Sequence, residues 1–191
     1  MNINEPKLVE LFFKLRKELI NSGKFKILSN KVVDNIINSY FFNRSQTICL
    51  YNHYNSVILT KLLNNQDYYF KNIFAFPRLN SDDNLDLYHI SCRNDLIIDN
   101  LGIVDIIPEC FKININEIDI ILVSGMAFDH KLNVLNIDDN NKLYNLLLSR
   151  SNALKIGICL ENQVYQSGLP NSKHTMDCLI TENGLHVPVS L

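Results

Sequence analysis

The chain has 191 residues, 47% hydrophobic and 20% charged, which is enough for one globular domain with a sizeable core. Its formal net charge of −2 and pI near 6.2 supply no general attraction to nucleic acid or anionic lipid, both of which need clustered cations. No apolar run approaches the ~20 residues of a membrane span, and no basic stretch precedes an apolar core at the N-terminus. A soluble, cytoplasmic protein with neither a membrane nor a nucleic-acid partner is expected.

Asn makes up roughly one residue in seven, far above ordinary usage. With the many Ile and Lys this suggests AT-rich coding, so individual Asn positions carry little information. Pro6 suits a first helical turn, and Leu8, Leu11, Phe12, Leu15 and Leu19 follow at helical spacing up to Gly23. A second helix is expected from Ser29, as its N-cap, to about Tyr40, burying Val32, Val33, Ile36 and Ile37. "QTICLYN" then predicts a strand, "SVILTKLLNN" a helix and "NIFAFPR" another strand, with shorter β pieces at "LDLYHI" and "GIVDII". "IDIILVSG" predicts a strand, followed by a loop, a helix near Lys142 to Leu148, the strand "LKIGICL" and a closing pair near "CLITENGLHVPV".

Strands alternating with helices indicate a single three-layer α/β/α domain over residues 1–191, with a mostly parallel sheet and ligands at the carboxyl ends of its strands. The loop after "IDIILVSG" lies at such an end. It differs from a usual phosphate loop in having no glycine from Met126 to Arg150. Asp129, in "GMAFD", can cap a backbone N–H or orient a ligand.

The five cysteines, Cys49, Cys92, Cys110, Cys159 and Cys178, form no C-x-x-C pair and read as reduced, buried thiols. His53, His89, His130, His174 and His186 share no metal-ligand spacing, and His130, beside Asp129, is the one worth testing. No G-x-S-x-G or Cys/His nucleophile arrangement is present, which argues against hydrolases.

"SGMAFD" resembles the "PGxAFD" signature of the 5-formyltetrahydrofolate cyclo-ligase (methenyltetrahydrofolate synthetase) family. Other pieces follow in the family's order. "KLRKEL" is similar to its N-terminal helix, "ICLYNHYNSVILT" to its first strand and turn, and Pro77-Arg78 to the "PR" after its second strand. "LDLYHI", "GIVDI", "KIGICLENQ" and "LPNSKHTMDCLIT" are similar to later family motifs, so the resemblance covers nearly the whole chain.

The resemblance implies ATP-dependent conversion of 5-formyltetrahydrofolate to 5,10-methenyltetrahydrofolate, with ATP and Mg2+ required and a monomer expected. The formyl oxygen attacks the γ-phosphate, and N10 then displaces phosphate. Such chemistry depends on positioning and on neutralising phosphate charge. Carried over position by position, the family's nucleotide-side residues fall on Arg16, Asn136, Asp138, Asn140 and Gln163. Its folate-side residues fall on Tyr51, Val57, Thr60, Leu85, Leu101 and Asp129. No catalytic side chain and no metal ligand is assigned.

Several positions depart from the pattern. Phe12 stands where the family has a lysine, one turn before Arg16, and Lys14 lies about 200° around the helix from Arg16. In the loop, Leu132 replaces a glycine, Val134 an arginine, and Asn136, Asp138 and Asn140 the later glycines. Asp138 and Asp139 would oppose phosphate at about 4 kcal/mol per charge pair at ~4 Å, unless a magnesium ion lay between. Val57 replaces a folate-contacting glutamate, and Lys173 or Thr175, depending on register, a magnesium-linked aspartate. Weak nucleotide binding is therefore expected, with folate binding outlasting it. The alternative function is a catalytically silent family member serving as a folate-binding or protein-interaction module.

Overall fold

A computed structural model describes residues 5–51, 62, 71–98, 104–135, 142–169 and 172–188. Helices α1 (Glu5–Asn21), α2 (Lys24–Ile37) and α3 (Tyr40–Arg44) come first, followed by strands β1 (Thr47–Tyr51), β2 (Ile73–Leu79) and β3 (Leu85–Ile90). Short strands β4 (Leu96–Ile98), β5 (Val104–Ile106) and β6 (Lys112–Ile113) lead to β7 (Ile120–Ser124), β8 (Ala127–Asp129) and β9 (Val134–Leu135). Helix α4 (Lys142–Arg150), β10 (Leu154–Ile158), β11 (Val164–Tyr165), β12 (Cys178–Thr181) and β13 (Gly184–His186) complete the order.

The main sheet runs β13-β12-β10-β7-β1-β2-β3-β6. Its centre is parallel, through β12-β10, β10-β7, β7-β1 and β1-β2. Its edges, β12-β13, β2-β3 and β3-β6, are antiparallel. The sheet is parallel where both faces are covered, as expected for strands that read as continuous apolar runs.

The two-residue period of the strands sorts the core into two layers. Ile48, Leu50, Phe74, Ile120, Leu122, Ile156 and Ile180 point to one face, where Val32, Val33, Ile36 and Phe42 of α2 and α3 cover them. Cys49, Ala75, Ile121, Val123 and Leu179 point to the other, against Tyr144, Leu147 and Leu148 of α4. The expected three-layer α/β/α architecture is present. In addition, a three-stranded sheet, β11-β8-β9, lies above the carboxyl edge.

The second helix differs from the sequence expectation. It begins at Lys24, and Ser29 is buried within it rather than capping it. The cause is Gly23, whose φ of 70° lets the chain reverse in a single left-handed residue, so that α2 starts at once. Phe25 and Leu28 then extend the apolar stripe. Around "SVILTKLLNN" only Leu62 is described, and it is helical and buried. No described helix is long and apolar enough to cross a membrane.

The expectation of uniformly buried thiols needs correction. Cys49, Cys159 and Cys178 are buried, but Cys110 is half-buried and Cys92 exposed, because both of the latter lie in turns flanking the β4-β5 hairpin rather than in core strands. Burial drives the Cys178 thiol up to about 11 and pushes the Cys49 thiol upward as well.

Candidate functional site at the carboxyl edge of the sheet

Strands β1, β7 and β10 end side by side. Tyr51 is in register with Val123, and Ser124 with Ile158. The "SGMAFD" loop leaves β7 here, and Gln163 follows the end of β10. Leu85 opens β3 opposite Leu79, the last residue of β2, and so sits at the same edge. The chain thus brings the ends of "QTICLYN" and "IDIILVSG" to one edge, as the alternating pattern requires. Val57, Thr60, Leu101, Asn136, Asp138, Asn140 and Asp139 lie outside the described residues, and of Tyr51 only the backbone is described.

Asp129 is fully buried, and its carboxylate is occupied within the protein. Oδ1 accepts from the Lys131 and Asn133 N–H groups, each at 2.9 Å. Oδ2 accepts from Asn133 Nδ2 at 3.0 Å and from the Leu169 N–H at 2.8 Å. The Asn133 Oδ1 in turn accepts from Thr175 Oγ1 at 2.8 Å. The carboxylate therefore closes the turn 129–133 and ties it directly to Leu169, while Asn133 links the same turn to Thr175. A buried anion persists only when such donors replace water.

Within this turn Leu132 has φ 64°, a left-handed conformation that costs a residue with a Cβ roughly 1–2 kcal/mol. A leucine holds this left-handed conformation at a position where the resemblance expects a glycine. Its side chain is buried in the same cluster as Phe128, Val134 and Met176, which offsets the strain. Gly125 has a different task. A Cβ there would come within 2.6 Å of Val134 Cγ2 and 2.9 Å of Phe128 Cζ, so this glycine admits close packing beneath the loop.

Gln163 also serves the loop. Its Nε2 donates to the Gly125 carbonyl at 3.2 Å and the Met126 carbonyl at 2.9 Å, while its Oε1 accepts from the Leu160 N–H at 2.9 Å. Arg16 is in contrast half-buried with its Cζ 5.3 Å from the centroid of the Phe25 ring. No carboxylate pairs with it among the described residues, and burial lowers its pKa below the ordinary arginine value.

Phe12 and Val134, at the two positions where the resemblance expects cations, are 5% and 4% exposed. Phe12 packs with Leu8, Ala127, Leu135 and Leu169, and meets the Tyr165 ring edge-on at 6.2 Å. Tyr165 and Asn133 were not anticipated as parts of this region. Asn133 had a signal in the Asp-x-x-x-Asn spacing of a closed turn, whereas Tyr165 had none. His130 is exposed. Among the described residues no group of three or more His, Cys, Asp or Glu side chains converges on a metal position.

No known family model matches the sequence, and no curated protein matches it. Solved structures do. The NMR structure of Aquifex aeolicus 5,10-methenyltetrahydrofolate synthetase matches with a TM-score of 0.83 at 24% identity, over 99% of this chain and 95% of that one. The chain has the methenyltetrahydrofolate synthetase fold. The Mycoplasma pneumoniae 5,10-methenyltetrahydrofolate synthetase matches with a TM-score of 0.62 at 15% identity, over 94% and 99% of the two chains.

Proposed function

We propose that this protein is a divergent 5-formyltetrahydrofolate cyclo-ligase, a cytoplasmic, monomeric single-domain enzyme that takes a reduced folate and ATP at the carboxyl edge of its sheet. The observation that supports this most is the convergence at one edge of the β1 end, the β7 loop and Gln163, in a fold matching a synthetase structure along 99% of the chain. Tyr51, Val57, Thr60, Leu85 and Leu101 serve the folate side. Arg16, Gln163 and the segment bearing Asn136, Asp138 and Asn140 serve the nucleotide side. Asp129 acts by shaping the loop between them.

The residues fit a phosphate at one point and fail at two. Arg16 offers a cation without a carboxylate partner among the described residues, while Phe12 and Val134 offer buried apolar surface instead of charge. No described cluster fits Mg2+, so no step is assigned to it. Ring closure needs the formyl oxygen held in line with the γ-phosphate and water kept away. The chain contributes positioning through Gln163 and Asp129, and weak charge neutralisation through Arg16. Slow turnover with a high requirement for ATP follows.

Separate calorimetric titrations with MgATP and 5-formyltetrahydrofolate, followed by spectrophotometric detection of the methenyl product, test this. Folate binding and slow product formation at millimolar ATP support the proposal. Folate binding without product at any ATP concentration replaces it with the second reading, a silent folate-binding module, which the apolar Phe12 and Val134 positions favour. If neither ligand binds, the cleft is an interaction module. Val57→Glu restores a carboxylate for ring N–H groups, whose unpaired burial costs about 1 to 3 kcal/mol. It should strengthen folate binding roughly tenfold or more.

A further inference from the structure

Cys92 and Cys110 belong to two segments clamped together on both sides. On one side the antiparallel β3-β6 ladder pairs Leu87 with Ile113 and Tyr88 with Lys112, and the His89 N–H donates to the Phe111 carbonyl at 2.8 Å. On the other, the β4-β5 ladder pairs Leu96 with Ile106, and the Ile107 N–H donates to the Asp95 carbonyl at 2.9 Å. Between the two clamps only Ile90, Ser91, Cys92, Arg93 and Asn94 remain in one segment, and Pro108, Glu109 and Cys110 in the other. Cys92 stands just before a 3-10 turn, Arg93–Asp95, and Cys110 just after the turn at Pro108-Glu109, so the two thiols sit on facing turns in the short gap between the clamps.

Both segments turn in the same manner. The Asp95 N–H donates back to the Cys92 carbonyl at 3.2 Å, and the Cys110 N–H to the Ile107 carbonyl at 3.4 Å. Cys92 is further held by Asp95, whose Oδ2 accepts from the Cys92 N–H at 3.1 Å and whose Oδ1 accepts from the thiol at 3.5 Å. Cys92 is exposed and Cys110 half-buried, which separates an accessible thiol from a sheltered one.

From this placement we propose that Cys92 and Cys110 form a reversible dithiol–disulfide pair that takes low-molecular-weight disulfides as its oxidant. The Cys92 thiolate attacks one sulfur of the small disulfide, whose S–S bond breaks and releases one small thiolate. A mixed disulfide is left on Cys92. The Cys110 thiolate then attacks the Cys92 sulfur, forming the protein S–S bond and releasing the second small thiolate. The two protons lost from the cysteines go through solvent to the two small thiolates, so two protein thiols are oxidised as one small disulfide is reduced. Burial, and then the charges of Asp95, Glu109 and Cys92, hold the Cys110 thiol above its ordinary value. This sets the order, with the exposed thiol reacting first and the sheltered one resolving it.

The test uses the full chain with oxidised glutathione at mildly alkaline pH, followed by acid quenching, alkylation of free thiols and peptide mapping. The expected result is loss of two thiols per chain and one cross-linked peptide joining Cys92 to Cys110, with Cys49, Cys159 and Cys178 alkylated only after denaturation. Cys110→Ser should stop at a glutathione adduct on Cys92, and Cys92→Ser should take up at least tenfold less glutathione. A stable glutathione adduct on Cys92 in the unsubstituted protein would overturn the proposal. So would no thiol loss, a cross-link to a different cysteine, or a Cys92-linked dimer.

Discussion

Asp129, in the loop after β7, and Arg16, on α1, treat charge in opposite ways. The carboxylate is fully buried, yet four donors from Lys131, Asn133 and Leu169 surround it. The guanidinium is half-buried, rests on Phe25 and has no carboxylate partner among the described residues. A buried charge satisfied by its own chain holds structure, whereas one left uncompensated is available to a ligand of opposite sign. By that criterion Asp129 builds the loop, and Arg16 is the described candidate side chain free to act on an anion.

The comparison breaks most directly at Asp129. Removal of the carboxylate leaves several buried donors unpaired at about 1 to 3 kcal/mol each. Asp129→Ala should therefore lower unfolding free energy by about 4 kcal/mol in urea titrations, with Asp129→Asn only partly better because its amide N–H₂ cannot accept. A loss below about 1 kcal/mol would show that the loop stands without its anion.

Phe12 comes next. Its ring is buried against Leu8, Ala127, Leu135 and Leu169, so Phe12→Ala should cost about 3 kcal/mol. Phe12→Lys should be destabilising to a similar degree rather than simply restoring a phosphate ligand, because the pocket has closed around an aromatic ring. If Phe12→Lys instead unfolds at the same denaturant concentration as the unsubstituted protein and gains MgATP affinity, the apolar filling is superficial and the nucleotide side is easily reopened.

Leu132 gives a finer test through the order of two variants. Both Leu132→Ala and Leu132→Gly lose the buried side chain, at about 2 to 4 kcal/mol. Only glycine is free of the left-handed strain at φ 64°. Glycine should thus be more stable than alanine by about 1 kcal/mol, the reverse of their usual ranking in regular structure. Equal stabilities would mean that the turn relaxes out of the left-handed region.

These residues also mark where sequence reading succeeds and where it stops. The sheet was legible because apolar runs such as "QTICLYN" and "IDIILVSG" have a local cause, burial on two faces, and so were the motifs that place "SGMAFD" after β7. The start of α2 was misplaced because one left-handed glycine does the work of a whole loop. The β11-β8-β9 layer was missed because its strands are two or three residues long and exist through long-range pairing rather than pattern. Asp129 was legible as a cap or a ligand group, and only the distant Leu169 N–H separates those roles. Tyr165 could not be foreseen as the partner of Phe12, since nothing in a two-residue strand announces an edge-on ring contact.

Arg16 should give the smallest change in stability and the most informative change in binding. Its described interaction is with the Phe25 ring, worth about 0.5–1 kcal/mol at a partly exposed site, and loss of the cation also relieves its desolvation. Arg16→Ala should therefore shift unfolding free energy by less than about 1 kcal/mol, with Arg16→Gln as a control that keeps the aliphatic stem over the ring. If the guanidinium is held for a phosphate, both variants should weaken MgATP binding at least tenfold, about 1.4 kcal/mol, while leaving 5-formyltetrahydrofolate affinity within twofold. The asymmetry matters because a general distortion of the carboxyl edge would weaken both ligands together. Unchanged MgATP affinity in both variants, in a protein that binds the nucleotide at all, would remove Arg16 from the site and with it the charge contrast to Asp129.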